Sequence, residues 1–370
     1  MSGALIDLVA KGVQDAFLTG SPEVSFFRQT YKRHTNFALK TVKLDPIGQL
    51  VNNGEVVLKI PNKGDLLSYV WIDLGGGSVE DAAIGAGSTS PAVFELWIGG
   101  QLVDRQDAYY MTQLWNKFLL DSDAKGYAST PAATGAYVAP RTAILSSTWV
   151  PFHFFFCDSY GLPLVALQYN EVEIRIKYGA SSPAAFKYYA SYVLLDTPER
   201  EYFVNTDQEI LVEQVQRIDS DGNTGAGATV RFDLSLLNHP VKCLLWGRPD
   251  ATALTTTNAQ LYLNGTEVFG TTLPDLFFTQ VQAYYHSEFG SPFMQGDTGN
   301  TNGGSNNKMY SFAMKANKHQ PTGSCNFSRL DNADLMFNST TNAETTFYLY
   351  GVNFNILRIK KGMAGLAFAN

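Results

Sequence analysis

Two glutamates, Glu171 and Glu173, have a spacing that would place paired carboxylates on one face of a β-strand. Such a pair can serve as the acid and the nucleophile or base of glycoside hydrolysis. Arg175 and Lys177 follow at the same alternate positions, so the four charged side chains share that face. Carboxylates flanked by cations on an exposed face commonly form salt bridges. We therefore interpret this face as solvated or salt-bridged rather than catalytic.

A second acidic pattern resembles part of a calcium-binding loop. Asp219, Asp221 and Asn223 stand at the first, third and fifth positions of such a loop. The sixth position needs glycine for a sharp turn, and the twelfth needs a bidentate glutamate. Thr224 and Val230 stand there instead. The pattern therefore favours a solvent-exposed turn over a calcium site.

The histidines and cysteines lack the spacing of a metal centre or a catalytic pair. The five histidines occur singly, at His34, His153, His239, His286 and His319. The three cysteines are also far apart, at Cys157, Cys243 and Cys325. This spacing favours free thiols and assembly in a reducing compartment. With no Gly-x-Ser-x-Gly motif either, we predict no catalytic residue, no metal and no cofactor, and hence a structural or binding protein.

The composition indicates an all-β protein with many loops. Only 16% of the 370 residues are charged, 13% are aromatic, and the chain has 32 glycines and 15 prolines. The net charge of −7 argues against nucleic acid as the main partner. Both ends are basic, however: residues 1–43 carry six Lys and Arg against three acids, and residues 356–370 carry three cations and no acid. The ends are therefore expected to face a different environment from the acidic body.

Residues 3–18 predict an amphipathic N-terminal helix, and no apolar run is long enough for a membrane span. Its apolar stripe consists of Leu5, Leu8, Val9, Val13, Ala16 and Phe17. Gly12 weakens the prediction. The stripe could dock on the body of this chain or on a neighbouring subunit or surface, and both alternatives stay open.

The next segment, SFFRQTYKRHTNFA (25–38), interleaves aromatic and basic side chains. The residues that define it are Phe26, Phe27, Arg28, Tyr31, Arg33 and Phe37. Interleaving of this kind can bind single-stranded nucleic acid by stacking. Because the body is acidic and such a segment occurs once, we favour a strand with a charged turn that packs against the core.

A series of strands follows, and alternation marks several of them. The predicted strands are Glu55–Ile60, Leu66–Leu74, two within Phe94–Val103 around Gly99-Gly100, Phe152–Phe156, Val172–Tyr178, Tyr188–Leu195, Glu209–Arg217, Arg231–Leu237 and Val241–Trp246. A short helix is predicted within Asp107–Leu120, and Thr197–Arg200 is interpreted as a joint. Small and polar residues predict loops near 75–91, 121–148 and 296–307.

The two halves of the chain contain an internal repeat. The segment ELWIGG at 95–100 matches QLYLNG at 260–265, Val172–Ile176 matches Ala333–Phe337, and Val193-Leu194 matches Ile356-Leu357. The matches keep the same order and are separated by 161 to 165 residues. We therefore predict two copies of one all-β unit, each an eight-stranded jelly-roll sandwich.

Four segments together resemble the major capsid proteins of nucleocytoplasmic large DNA viruses, the phycodnavirus–iridovirus group. They are GVQDAFLTGSP with SFFRQTYKRHTNFA (12–22 and 25–38), PFHFFFCDSYGLPLVALQYNEVEIRI (151–176), HQPTGSCNFSRLDNADL (319–335) and NILRIKKGMAGLAFAN (355–370). The resemblance implies a double jelly roll with an inward-facing segment at 1–25, a first jelly roll at 26–200 and a second at 201–370. The N-terminal segment and the aromatic–basic segment are the assembly residues that it implies.

The resemblance also implies a homotrimer whose six jelly rolls form a pseudo-hexagonal capsomer of an icosahedral virion shell. Expected partners are neighbouring capsomers, minor capsid and penton proteins, and an internal viral membrane, without direct binding of the genome. Assembly is expected in the host cytoplasm. Alternatives are a minor capsid paralogue of the same fold and, in another class, a monomeric jelly-roll carbohydrate-binding protein. Three sequons, at Asn264, Asn326 and Asn338, fit N-glycosylation, and we keep Asn264 and Asn338 as candidates.

Overall fold

A computed structural model provides the architecture of the chain. It describes residues 9–74, 90–120, 149–157, 161–179, 186–220, 229–248, 256–287, 307–339 and 347–368. Residues 37–370 form one compact unit, and residues 1–36 form another. The predicted loop at 121–148, the predicted loop at 296–307 apart from its last residue, most of 75–91 and most of the calcium-like turn lie outside the described residues.

The first half of the compact unit contains two antiparallel sheets, which we call sheets I and II. Sheet I has the order β1-β10-β4-β7, with β8 paired to β4, and sheet II has the order β2-β3-β9-β5-β6. The strands are β1 Phe37–Leu44, β2 Ile47–Gly48, β3 Glu55–Lys59, β4 Leu66–Asp73, β5 Val93–Ile98, β6 Gln101–Asp107, β7 Trp149–Pro151, β8 Leu162–Pro163, β9 Val172–Lys177 and β10 Lys187–Leu195.

The second half repeats this arrangement in sheets III and IV. Sheet III has the order β11-β20-β13-β17, with β18 paired to β13 and β21 paired to β20. Sheet IV has the order β12-β19-β14-β15, with β16 paired to β14. The strands are β11 Gln208–Asp219, β12 Thr229–Asp233, β13 Pro240–Gly247, β14 Thr256–Leu263, β15 Thr266–Glu267, β16 Leu273–Pro274, β17 Lys308–Ser311, β18 Cys325–Asn326, β19 Ala333–Ser339, β20 Tyr348–Lys360 and β21 Met363–Leu366.

The topology confirms the internal repeat, because each sequence match joins strands at equivalent places. β9 lies between β3 and β5 in sheet II, and β19 lies between β12 and β14 in sheet IV. β10 and β20 are likewise second in sheets I and III. Both β5–β6 and β14–β15 turn through two residues with positive φ, Gly99-Gly100 and Asn264-Gly265, as expected for a tight hairpin. The chain is therefore a double jelly roll.

Two apolar cores hold the sandwiches together. The first lies between sheets I and II and includes Phe94, Ile174 and Tyr188. The second lies between sheets III and IV and includes Phe232 and Trp246. Alternate side chains of sheet III point the other way and join the first core, so sheet III is covered on both faces. The two jelly rolls are thus joined across the outer face of sheet III.

The longer helical elements among the described residues are α1 Ala16–Thr19, α2 Tyr110–Phe118, α3 Thr197–Asn205 and α4 Phe277–His286. Three short 3-10 helices, Leu164–Ala166, Leu234–Leu236 and Phe327–Arg329, accompany them. α2 and α4 occupy equivalent places in the repeat, and each contains one π-helical turn, Tyr110–Leu114 and Phe277–Val281. The prediction of a short helix within residues 107–120 is confirmed, as are the strand predictions for β3, β4, β5, β6, β9, β10, β11 and β13.

Three predictions of local structure are wrong. From residue 9 onward the predicted N-terminal helix is reduced to Ala16–Thr19, because Gly12 interrupts it. The segment 25–36 forms no strand, and its side chains are exposed. Phe152–Phe156 is buried without pairing as a strand beyond Pro151. Thr197–Arg200, which was interpreted as a joint, begins α3, and α3 connects β10 of the first jelly roll to β11 of the second.

Candidate assembly surfaces

The junction of the two jelly rolls contains a buried ionic network. Asp107, at the end of β6, accepts hydrogen bonds from Arg217 Nη1 at 3.1 Å and from the Tyr350 hydroxyl at 2.7 Å. The other carboxylate oxygen accepts from the backbone N–H of Tyr110 at 2.8 Å. Burial raises the pKa of Asp107, and its three donors oppose that effect. One carboxylate therefore links β6 and α2 of the first jelly roll to β11 and β20 of the second.

Asp104 forms a second link across the same junction. Its Oδ1 accepts from the backbone N–H groups of Val215 and Arg105, both at 2.9 Å. Its Oδ2 accepts from Gln106 Nε2 at 2.7 Å. Complete burial outweighs these donors and raises the pKa of Asp104 to about 7. The carboxyl group of the folded chain therefore titrates near neutrality.

The Asp104→Asn variant should change the pH dependence of stability. The folded pKa of about 7 lies above the ordinary aspartate value of 3.8, so between these two pH values the folded chain binds more protons than the unfolded chain. The contribution of Asp104 to stability is therefore present at low pH and lost as the pH rises to 7. We expect the wild type to lose stability relative to the variant by on the order of 4 kcal/mol across this window. If the free energies of unfolding of the wild type and of the variant change in the same way between pH 4 and 8, the raised pKa of Asp104 is contradicted.

A cavity of about 310 Å³ lies beside this network, between the two jelly rolls. Glu213 in its wall accepts from Lys242 Nζ at 2.5 Å and lies 3.5 Å from His319 Nδ1. Burial raises the pKa of Glu213, but the ammonium and the histidine together bring it below its ordinary value. The Trp115 and His153 rings are stacked in the same wall, 3.6 Å apart. The cavity wall thus contains an ion pair that bridges β11 and β13.

Glu171 and Glu173 are salt-bridged, as interpreted from the sequence. Lys59 Nζ on β3 lies 2.9 Å from Glu171 and 3.6 Å from Glu173, and Arg175 lies 3.1 Å from Glu173. Among the described residues, no three His, Cys, Asp or Glu side chains could hold a metal ion together. No described helix is long and apolar enough to cross a membrane. The three cysteines are free thiols.

The predicted assembly residues near the N-terminus are exposed wherever the structure describes them. Leu5 and Leu8 lie outside the described residues. The exposed residues are Phe17, Phe26, Phe27, Arg28, Tyr31 and Arg33. Phe37 begins β1 and is half exposed. Phe26 and Phe27 are more than nine-tenths exposed, at 94% and 97%. None of these aromatic side chains belongs to either apolar core.

Both candidate glycosylation sites are exposed and serve a structural purpose. Asn264 occupies the hairpin turn with φ of 49°, and its Oδ1 accepts from the N–H groups of Asp331 and Asn332. Asn338 Oδ1 on β19 accepts from the Thr229 hydroxyl at 3.1 Å. These bonds use the side-chain oxygens and do not involve the nitrogens to which a glycan would be attached.

The sequence analysis did not identify the junction residues Asp104, Asp107 and Arg217. A signal was present in β6, whose sequence QLVDRQD has four polar residues after Val103 and no apolar alternation. A strand without an apolar face needs polar partners, and here those partners come from β11 and β20. More than 100 residues separate the two sides of the network, so spacing alone could not pair them.

Comparison with known proteins covers nearly the whole chain. Residues 25–224 match the family described as major capsid protein N-terminus, and residues 250–365 match the large eukaryotic DNA virus major capsid protein family. The major capsid protein of Pyramimonas orientalis virus is 34% identical over the full length of both chains. That of Paramecium bursaria Chlorella virus 1 is 30% identical, also over both full lengths.

Solved structures show the same architecture. A chain of the quasi-atomic model of the PBCV-1 virus capsid superposes with a TM-score of 0.73 at 25% identity, covering 94% of this chain and 100% of the other. The Faustovirus major capsid protein superposes with a TM-score of 0.60 at 12% identity, which supports the fold alone.

The fold and the comparisons thus place the chain in the class of viral capsid proteins that consist of two fused jelly rolls. The chain belongs to the family of large eukaryotic DNA virus major capsid proteins. This result confirms the resemblance that the N-terminal, central and C-terminal segments showed.

Proposed function

We propose that this chain is the major structural subunit of the icosahedral shell of a large double-stranded DNA virus, and that it acts without catalysis. Three copies would form a capsomer with six jelly rolls in a pseudo-hexagonal ring. The observation that carries the proposal is the repeat of one sandwich in both halves, joined side by side through sheet III. Because a head-to-tail trimer of such chains closes by rotation, it places six similar units around one axis.

Light scattering after size-exclusion chromatography tests the trimer. A particle of three chain masses supports the capsomer, whereas a stable monomer contradicts it and favours the carbohydrate-binding alternative. Cryo-electron microscopy of the source particle then separates a major from a minor capsid protein by its copy number.

We also propose the division into an inward-facing segment at 1–25 and jelly rolls at 26–200 and 201–370. Minor capsid and penton proteins are the proposed partners beside neighbouring capsomers, and the basic ends of the chain, residues 1–43 and 356–370, contact minor capsid proteins or the anionic head groups of an internal membrane. Opposite charge supports the latter contact. Assembly in the host cytoplasm is supported by the three free cysteines. The acidic net charge argues against direct genome binding.

Intact-mass spectrometry of virion protein tests glycosylation at Asn264 and Asn338. If either site is used, we expect a mass above that of the bare chain, and the Asn338→Gln variant should lose only the share carried by Asn338. A mass equal to the bare chain would exclude both sites.

A further inference from the structure

Equivalent sheets of the two jelly rolls are covered to very different extents. The outer face of sheet III is buried beneath the first jelly roll. One row of this face, Val215, Val352, Cys243 and Ser311, is buried in full. By strand order and register, the equivalent row of sheet I is Lys43, Tyr189, Trp71 and Pro151, none of which is buried. The first jelly roll therefore presents a partly exposed version of a face that is buried in the second.

Four aromatic side chains form this uncovered face, which we call the aromatic face: Tyr69, Trp71, Trp149 and Tyr189. The Trp71 ring stacks on Tyr189 with centroids 4.4 Å apart, and Trp149 meets Trp71 edge-on at 6.3 Å. Tyr69 is exposed and the other three are partly exposed. Tryptophan and tyrosine are the residues most enriched at the centres of protein interfaces.

α2 is the element that covers the matching face of sheet III. The Tyr109 hydroxyl, in the turn that leads into α2, donates to Asn307 Oδ1 at 2.5 Å, and its ring lies 6.2 Å from that of Tyr350 on β20. The Tyr110 ring lies 5.5 Å from Tyr350. These contacts bury Tyr109 completely.

α4 is the equivalent element of the second jelly roll, and one side of it is exposed. Thr112 and Thr279 hold the same place in the two helices, since each hydroxyl donates to the carbonyl oxygen four residues earlier. In this alignment Leu276 is at the position equivalent to Tyr109, and Tyr285 is at the position equivalent to Phe118. Tyr109 and Phe118 are both 0% exposed, whereas Leu276 is 54% and Tyr285 65% exposed. We call Leu276, Tyr284 and Tyr285 the tyrosine ridge.

We propose that the tyrosine ridge of one chain packs on the aromatic face of a second copy, repeating between subunits the contact that α2 makes with sheet III within each chain. This inference rests on the proposed capsomer and names the residues that join its subunits. A second copy is the occupant because each chain carries both halves of the contact. The ridge and the face lie on different jelly rolls, so the contact is head-to-tail and can close into a ring.

The contact between subunits differs from the junction within a chain in its chemistry. Pro274 stands where Asp107 stands in the first repeat, so the ridge has no carboxylate equivalent to the one that binds Arg217 and Tyr350. The proposed contact is therefore aromatic and apolar, and added salt should weaken it little.

Charged substitutions on each side test the proposal by light scattering. Tyr285→Lys on the ridge and Trp71→Lys on the face should each weaken trimer formation roughly 30-fold, the range expected of interface hot spots. Tyr202→Lys is the matched control, because Tyr202 on α3 is an exposed tyrosine outside both surfaces. Circular dichroism of the resulting monomers verifies that they are folded.

Cross-linking tests which residues meet. Leu276 and Lys187 stand at the equivalents of Tyr109 and Tyr350, whose rings are 6.2 Å apart. The double variant Leu276→Cys with Lys187→Cys should give covalent trimers with a short bismaleimide. A mixture of the two single variants should give covalent dimers only, and each single variant should match the background of the native cysteines.

The outcomes separate this inference from the proposed function. If the wild type is a trimer and both lysine variants remain trimeric, or if the cysteine pair does not cross-link, the inference is overturned while the capsomer stands. If Tyr202→Lys dissociates the trimer equally, the loss is unspecific and the inference is overturned as well. A monomeric wild type overturns both.

Discussion

Asp107→Ala is expected to destabilise the chain by about 3–5 kcal/mol, the range measured when one partner of a buried ion pair is removed. The side chain of Asp107 is only 4% exposed, and its loss leaves the Arg217 guanidinium without its buried carboxylate. The Tyr350 hydroxyl, which is buried at the junction, loses its acceptor as well. Urea unfolding followed by tryptophan fluorescence, at one fixed protein concentration, measures the loss.

Asp219→Ala is the control for this prediction. Arg217 Nε also lies 2.7 Å from Asp219, but that carboxylate is 53% exposed. An exposed pair contributes only about 0–1 kcal/mol. The two variants therefore remove carboxylates from the same arginine, and they differ chiefly in burial. Equal losses of stability would show that the junction does not depend on the buried member.

The strands could be predicted wherever burial is one-sided. In β9, Val172, Ile174 and Ile176 are buried while the alternate residues are less so, and this contrast is what a period of two reports. The internal repeat was visible for the same reason, because both copies bury equivalent strand positions. The fold was therefore predictable from local pattern and self-similarity.

Other features depend on contacts that local pattern does not encode. β13 is buried on both faces, since Leu244 faces the second core and Leu245 the first. Its apolar run thus predicts a covered strand but does not say what covers the second face. The partners of Asp107 likewise come from a distant part of the chain. Sequence reasoning found the two jelly rolls but could not find how they are joined.

For the aromatic–basic segment, the prediction that its side chains are buried in the core was wrong. Its aromatic side chains suggested packing against the core, because burial of large apolar groups is the usual outcome for a strand. The structure leaves Phe26, Phe27 and Tyr31 exposed instead. Aromatic content alone does not distinguish a core strand from a segment that binds a partner.

Removing apolar side chains of the N-terminal and aromatic–basic segments is expected to block shell assembly without unfolding the subunit. The buried residues of both cores lie within residues 37–370. The triple variant Phe17→Ser, Phe26→Ser and Phe27→Ser should therefore unfold at the same urea concentration as the wild type and remain trimeric. Its yield of closed particles should fall at least roughly tenfold, because three anchor side chains typically contribute more than 1.4 kcal/mol to binding. Particle yield by electron microscopy is the measurement.

The basic side chains of the aromatic–basic segment distinguish the two proposed partners, a minor capsid protein and an anionic lipid. The Arg28→Gln, Lys32→Gln and Arg33→Gln variant keeps every aromatic side chain and removes three positive charges. If the segment contacts anionic lipid, this variant should lose binding to phosphatidylserine vesicles by about 1 kcal/mol per charge, and added salt should weaken wild-type binding in the same way. If it contacts a minor capsid protein through its aromatic side chains, vesicle binding is weak for both chains and only the serine variant fails to assemble. Normal assembly of a chain that lacks residues 1–20, with its inner layer retained, would contradict a role of residues 1–20 in either contact.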